Sequence, residues 1–238
     1  MPPPTNSELN AKREEHCFAV TSDRKYYRVG GTFIKRSLRP SEWQKHNGYM
    51  YVPRFGTERI LNEGACLQFL AANTNIPLPK LYACIEDDGA AYLITEYIEG
   101  VNMNDLDTEK KDIVAKELQG HMETLKELKS NVWGGPGGVV LPPYRIMRHS
   151  DGRPWRMQDR ESKDLVFCHN DLSANNIIVD PDTLKINAII DWEYGGFYPA
   201  EFEWHFYLRQ KSGPSVSQDG ELDDEDVLKD IMSRERKG

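Results

Sequence analysis

The densest chemistry in the chain is His169-Asn170-Asp171-Leu172-Ser173-Ala174-Asn175-Asn176, followed by Asp191 twenty residues after Asp171. Asp171 stands just past the apolar run DLVFC, on a polar loop, and Asn176 opens the next apolar run. The segments IIVD and LKINAIID read as a strand out and a strand back, joined at Pro181-Asp182. A hairpin returns its end beside its beginning, so Asn176 and Asp191 are expected to be neighbours. An amide oxygen beside a carboxylate, with a third acid close by, makes a hard-oxygen site suited to Mg²⁺. Phosphoryl transfer also needs a group that orients or deprotonates the incoming hydroxyl, a role open to Asp171. Taken singly, each of these residues is more often a maker of local turn hydrogen bonds. Order and spacing together favour the chemical reading.

A second signal comes from the segment Glu58–Ala72, which reads as a helix ending before Pro77 and Pro79. At 100° per residue, Ile60, Leu67, Leu70 and Ala71 share a face, and Glu63 falls in that stripe. A carboxylate on a packing face needs a partner. Lys35, on the β-rich run TFIKRSL, is the candidate; the neighbouring Arg36 points to the other face of the same strand. The plainer alternative is a helix-edge Glu reaching water beside an ordinary strand lysine.

The elements that position these groups follow a simple outline. Residues 1–12 are polar and Pro-rich and read as a flexible N-terminus. Cys17–Val20 and Lys25–Val29 read as strands, Gly30-Gly31 as a two-residue hairpin turn, and 41–57 shows no clear periodicity. The strands KLYACIE and AAYLITEYI are joined at Asp87-Asp88-Gly89. Thr108–Lys129 is a long amphipathic helix, 131–143 a Gly/Pro loop, and Ala200–Gln210 an aromatic-rich helix candidate. The division is a β-rich N-lobe at 13–97, a C-lobe at 98–211, and an acidic tail at 212–238 ending in a short helix with Val227, Leu228 and Ile231.

Composition narrows the function. The 238 residues carry 30 Lys+Arg against 38 Asp+Glu, a net charge of −8, so a nucleic acid is a poor partner. No run of about 18 apolar residues is present, so no membrane-spanning helix is expected. The start of the chain has no apolar leader region, and Cys17, Cys66, Cys84 and Cys168 are widely spaced. Reduced thiols and a cytoplasmic location are expected.

FCHNDLSANNIIVD with INAIIDWEYGGFYP resembles the aminoglycoside phosphotransferase and choline kinase-like branch of the protein-kinase-like fold, and the fungal phosphotransferase-like proteins in particular. NEGACLQFLAANTNIPLPKLY, LITEYIEG and GGPGGVVLPPYR add to the likeness, which spans Tyr26–Tyr207. The resemblance implies an α+β, bilobal fold with a small β-rich N-lobe containing one helix and a mainly helical, shortened C-lobe. It implies ATP and Mg²⁺ as cofactors and transfer of the γ-phosphate to a hydroxyl of a small molecule. Asp171 takes the place of the catalytic aspartate, Asn176 and Asp191 of the metal ligands, and His169 of the structural histidine. Lys35 resembles the ATP-phosphate lysine, Glu63 its helix partner, and Glu96, Tyr97 and Ile98 the adenine-binding hinge.

The chain departs from the pattern in places. No G-x-G-x-x-G precedes Lys35; the first β-turn reads Thr21-Ser22-Asp23-Arg24, and Gly30-Gly31 comes one turn too late. Asp191 is followed by Trp192-Glu193 rather than Phe-Gly, and no A-P-E segment is present, which disfavours a protein kinase. Only 47 residues follow Asp191, which implies a reduced acceptor pocket or a truncated gene model. A kinase-like binding or scaffold protein is therefore the alternative reading. Late acids (Glu201, Glu203, Asp219–Asp226) suit a cationic acceptor, but a solvated surface is the favoured reading of them.

Overall fold

The computed structural model describes residues 3–147, 155–209 and 225–235. Its first half runs α1 (Asn6–Arg13), β1 (Cys17–Val20), β2 (Arg24–Val29), β3 (Thr32–Ser37), a small ribbon of β4 (Lys45–His46) and β5 (Tyr49–Met50), α2 (Gly56–Asn73), β6 (Leu81–Asp87) and β7 (Ala90–Glu96). Five of these strands form one antiparallel sheet in the order β1-β2-β3-β7-β6. The β2–β3 turn is the expected two-residue hairpin, with Gly30 at φ 57°. The expected flexible segment 1–12 instead contains most of α1. Thr5 caps that helix, taking the Glu8 N–H while the Glu8 carboxylate takes the Thr5 N–H at 2.7 Å. This reciprocal pair satisfies two otherwise orphaned donors.

α2 lies across β3, β6 and β7 and buries Ile60, Cys66, Leu67 and Leu70. Ala71, placed on the same stripe by periodicity, is exposed. The helix approaches the sheet so closely that a Cβ at Gly64 would meet the Cys84 sulfur at 2.5 Å. Thr74 leaves the helix in extended conformation, ahead of the two prolines.

The second half carries β8 (Val101–Asn102), α3 (Thr108–Glu127), β9 (Lys129–Ser130), α4 (Tyr144–Met147), β10 (Leu165–Cys168), β11 (Ile177–Val179), β12 (Ile186–Ile189), β13 (Gly196–Tyr198) and α5 (Glu225–Glu235). Its strands form two small antiparallel sheets, β13-β10-β9 and β12-β11-β8. Asp107 caps α3 by accepting the Lys110 N–H at 3.0 Å, and Val114, Leu118, Met122 and Leu125 make its buried stripe. One core runs through both halves, joining Leu70 and Leu93 to Met103, Leu118, Phe167 and Trp192. Trp133 and Trp155 are buried in a second cluster that also receives Leu228 of α5.

The expected helix at 200–210 is not formed. Ala200–Phe202 and Phe206–Leu208 are separate 3₁₀ turns, with Glu203 at ψ 93° and His205 at ψ 55° between them. The Phe202 carbonyl, which an α-helix would use internally, accepts from Arg145 Nη2 at 2.8 Å. The acidic stretch 212–224 and the side chain of Val227 lie outside the described residues. All four cysteines are free thiols. Among the described residues, no helix is long and apolar enough to cross a membrane.

Candidate active site

Lys35 sits mid-strand on β3 and is 5% exposed. Its ammonium lies 2.6 Å from Glu63 Oε2 on α2 and 2.5 Å from Asp191 Oδ1 just beyond β12. The strand alternation turns Arg36 to the opposite face, where it bonds Tyr27 and Glu42. Asp191 adopts φ 66°, ψ 47° and leads into the 3₁₀ turn Trp192–Tyr194. This left-handed conformation costs energy for a side chain other than glycine and marks an over-determined position. Burial pushes the Lys35 ammonium down, but Asp191 and then Glu63 raise it further, so it stays charged. Burial raises the Glu63 carboxyl, assisted by Asp191 and Glu193 against Lys35. For Asp191 burial also acts upward, yet Lys35 and Arg24 hold it well below the usual carboxylate range.

The loop after β10 is fixed residue by residue. His169 is fully buried, donates from Nε2 to the Ile190 carbonyl at 2.9 Å, and accepts the Asp171 N–H on Nδ1 at 3.3 Å. Burial lowers its pKa to about 4, so the ring is neutral and its tautomer follows from these two bonds. Asn170, at φ 68°, donates from Nδ2 to the Tyr194 carbonyl at 2.8 Å. Asn176 Nδ2 donates to the Asp171 carbonyl at 2.8 Å. Asp171 is thus held at both ends of its backbone and stays half-buried. The β11–β12 hairpin closes as expected, with Ile190 N–H on the Asn176 carbonyl at 2.9 Å, so Asn176 and Asp191 stand at the same end.

A cavity of about 410 Å³ opens between the five-stranded sheet and this hairpin. Its wall includes Lys35, Glu63, Asn176 and Asp191, and, at the other end, Glu96, Tyr97 and Ile98. Asp171 and His169 are not part of that wall; the Asn176 amide connects Asp171 to it. Within the expected hinge, the sheet takes two of the backbone donors. The Tyr97 N–H is taken by the Gly31 carbonyl at 2.8 Å and the Glu96 N–H by the Lys80 carbonyl at 2.9 Å. Sheet pairing uses these two donors, so of the three hinge N–H groups only that of Ile98 lacks a backbone partner among the described residues.

The donor set fits a magnesium ion. With Asn176 Nδ2 committed to the Asp171 carbonyl, its amide oxygen is the atom left to meet a cation, and Asn176 and Asp191 both line the cavity. A second acid cluster joins Glu63, Asp191 and Glu193, whose ligand atoms lie within 4.8 Å of one another. Glu193 is already engaged by arginines on both oxygens, Arg59 on Oε1 and Arg24 on Oε2.

Residues 93–213, just over half of the chain, match the family model for choline/ethanolamine kinase. The chain belongs to that family. Among curated relatives, this choline/ethanolamine kinase family member is 36% identical over 52 residues to streptomycin 3''-kinase of Streptomyces griseus, covering 22% of this chain and 19% of the relative. It is 27% identical over 140 residues to an aminoglycoside 3'-phosphotransferase of Streptomyces fradiae, covering 49% of this chain and 52% of the relative. The chain therefore spans about half or less of the length of these relatives. The fold is shared with an aminoglycoside phosphotransferase of Streptomyces rimosus (TM-score 0.54, 19% identity, 81% of this chain and 77% of that one). A hygromycin B-bound aminoglycoside phosphotransferase solved with AMP-PNP shares it too (TM-score 0.51, 14% identity, 79% and 68%).

Against that family pattern, sequence reasoning missed the groups that brace the site. Glu203 braces the start of the 169–176 loop: its Oε2 takes the N–H groups of His169 and Asn170. Burial pushes its carboxyl up to about 7, against the lowering effect of those two bonds. Arg145, fully buried, donates to the Asn170 carbonyl at 3.1 Å. Sequence reasoning also assigned no bracing role to Arg24, Arg59 or Glu193. Arg59 lies one turn before Glu63 on the same buried stripe, so the argument that found Glu63 applies to it.

Proposed function

We propose that this protein transfers the γ-phosphate of ATP to a hydroxyl of a small molecule, with Mg²⁺ bound at Asn176 and Asp191. The observation that carries this reading is the single cavity wall on which Lys35, Glu63, Asn176, Asp191 and the 96–98 segment meet. Lys35, held charged between two carboxylates, is the group for the nucleotide phosphates, and Glu63 keeps it extended into the cavity. Magnesium, when bound, would neutralise charge on the phosphate oxygens. Asp171 orients the acceptor hydroxyl and takes its proton as the new O–P bond forms and the bond to the ADP leaving group breaks. The neutral, buried His169 keeps the Asp171 backbone in place.

In this reading residues 13–97 form the nucleotide-binding lobe, and 98–211 the lobe of the catalytic loop and the Mg²⁺ site. The matched family and the relatives are named for choline, ethanolamine and aminoglycosides, all alcohols that bear an amine or a quaternary ammonium group, which supports a cationic acceptor. The test is Mg²⁺-dependent ADP formation across a panel of choline, ethanolamine and aminoglycosides, with Asp171→Asn as control. Acceptor-dependent turnover lost in Asp171→Asn is expected. Equal, background turnover in both proteins would contradict the reading and favour the binding-protein alternative.

A further inference from the structure

The turn between β1 and β2, where a glycine-rich loop would cover phosphates, contains no glycine and is tied down. Within it, Arg24 N–H bonds Thr21 Oγ1 at 3.1 Å and Thr21 N–H bonds the Arg24 carbonyl at 2.8 Å. From this turn a chain of charges runs to the Asp191 segment. Asp23 Oδ2 lies 3.0 Å from Arg59 Nη1. Arg59 Nε donates to Glu193 Oε1 at 3.1 Å, with Nη2 on the same oxygen, and Arg24 Nη2 meets Glu193 Oε2. Arg24, Arg59 and Glu193 are 4%, 6% and 3% exposed. Next to them, Asn62 Nδ2 donates to the Glu193 and Gly195 carbonyls at 3.0 and 2.9 Å.

The electrostatics give this chain of charges a purpose. Three carboxylates (Glu63, Asp191 and Glu193) crowd within 4.8 Å, and Lys35 contacts only the first two. An unneutralised Glu193 would repel Asp191 and compete for Lys35, and a buried unpaired carboxylate is strongly unfavourable. Two arginines remove that competition and fix the segment two residues beyond Asp191. We propose that Arg24 and Arg59 are positioning residues which, acting through Glu193, hold Asp191 and Lys35 in the arrangement that receives a magnesium nucleotide. The device joins the first β-turn, α2 and the Asp191 segment before any ligand arrives. It rests on the phosphotransferase reading above.

The test measures the Mg²⁺ concentration giving half of the ATP-induced thermal shift, in wild type, Arg59→Met, Arg59→Lys and Asp23→Asn. A partner that orients a metal ligand typically changes metal affinity about 10- to 100-fold. Arg59→Met is expected to raise the Mg²⁺ midpoint about tenfold or more, with partial rescue in Arg59→Lys. Asp23→Asn, at the less buried end of the chain of charges, is expected to raise it about threefold, by the weaker coupling of a more exposed pair. Should Arg59→Met fail to fold, Asp23→Asn and Arg59→Lys carry the test. Folded variants with a lower melting temperature and an unchanged midpoint would overturn the positioning role alone. A wild type that shows no shift with Mg²⁺ and ATP would overturn the phosphotransferase reading and this inference with it.

Discussion

Lys35 and Arg36 are adjacent on β3, both 5% exposed or less, and they anchor two opposite kinds of ion network. On the outer face, every guanidinium nitrogen of Arg36 has a partner: Nη1 lies 2.6 Å and Nη2 2.9 Å from Glu42, while Nε bonds the Tyr27 hydroxyl at 3.1 Å. Lys25 adds a second cation to Glu42 at 2.8 Å. Burial raises the Glu42 carboxyl, but Arg36 and Lys25 hold it far below its ordinary range. On the inner face, Lys35 divides one charge between Glu63 and Asp191 beside an open cavity, and Glu63 is driven up by burial. A hollow of about 320 Å³ also borders Arg36, so a cavity beside a buried charge does not by itself distinguish the faces. The difference is balance. The outer network is satisfied and holds the sheet; in the inner one a single ammonium is shared by two carboxylates at a cavity wall.

That contrast is sharpest in substitution. Lys35→Met is expected to abolish ATP binding and to lower phosphate transfer by about 10³-fold, the scale of losing one preorganised charge contact. Binding measured by calorimetry and turnover measured by ADP release check it. Arg36→Met should do the reverse, lowering stability by about 2 kcal/mol, because Glu42 keeps only Lys25 close by and Tyr27 loses its donor. Its ATP dissociation constant should stay within about twofold of wild type, because strand alternation turns Arg36 away from the cavity. Denaturant unfolding with a nucleotide titration separates the two. If both variants lose binding equally, the two faces are not distinct.

A smaller effect comes from the brace beneath the 169–176 loop. Glu203, with its carboxyl raised from 4.5 to about 7, binds its proton more tightly when folded than unfolded. Its contribution is present below pH 4.5 and lost as pH rises through 7. His169, lowered from 6.5 to about 4, acts oppositely: its contribution is present above 6.5 and lost as pH falls through 4. Glu203→Gln keeps an acceptor for the His169 and Asn170 N–H groups and removes the first titration. Relative to wild type it should gain about 2–3 kcal/mol between pH 5 and pH 8, since each tenfold difference in proton affinity is worth about 1.4 kcal/mol. Melting curves at the two pH values measure this; parallel curves would remove Glu203 from the account.

The smallest effect is expected at the rim. Arg28 pairs with exposed Glu99 and lies 3.6 Å over the Tyr97 ring. Arg28→Ala should change stability by about 0.5 kcal/mol or less, as exposed pairs do.

The parts of the molecule readable from sequence are those governed by local pattern. The α2 stripe exposed Glu63 as a charge out of place, strand alternation chose Lys35 over Arg36, and the hairpin argument brought Asn176 to Asp191. What local pattern does not carry is a partner many tens of residues away. Arg59 and Glu193 are separated by 134 positions, and Arg145 reaches Phe202 across 57. The helix expected at 200–210 failed for the same reason. Aromatic content set the expectation, while a distant arginine captured the Phe202 carbonyl that a helix would have used internally. The 96–98 segment lines the cavity, yet two of its donors were already used by the sheet, a pairing that no local pattern announces.

The most direct test of the unbalanced inner network is a thermal-shift titration with Mg²⁺ and ATP on wild type and Asp191→Ala. Binding to the folded state alone stabilises by about 2.7 kcal/mol at a hundredfold excess over Kd. A magnesium-dependent rise in the melting temperature of wild type, absent in a folded Asp191→Ala, is the predicted result. A well-folded wild type that does not respond, or a variant that responds equally, would contradict the account.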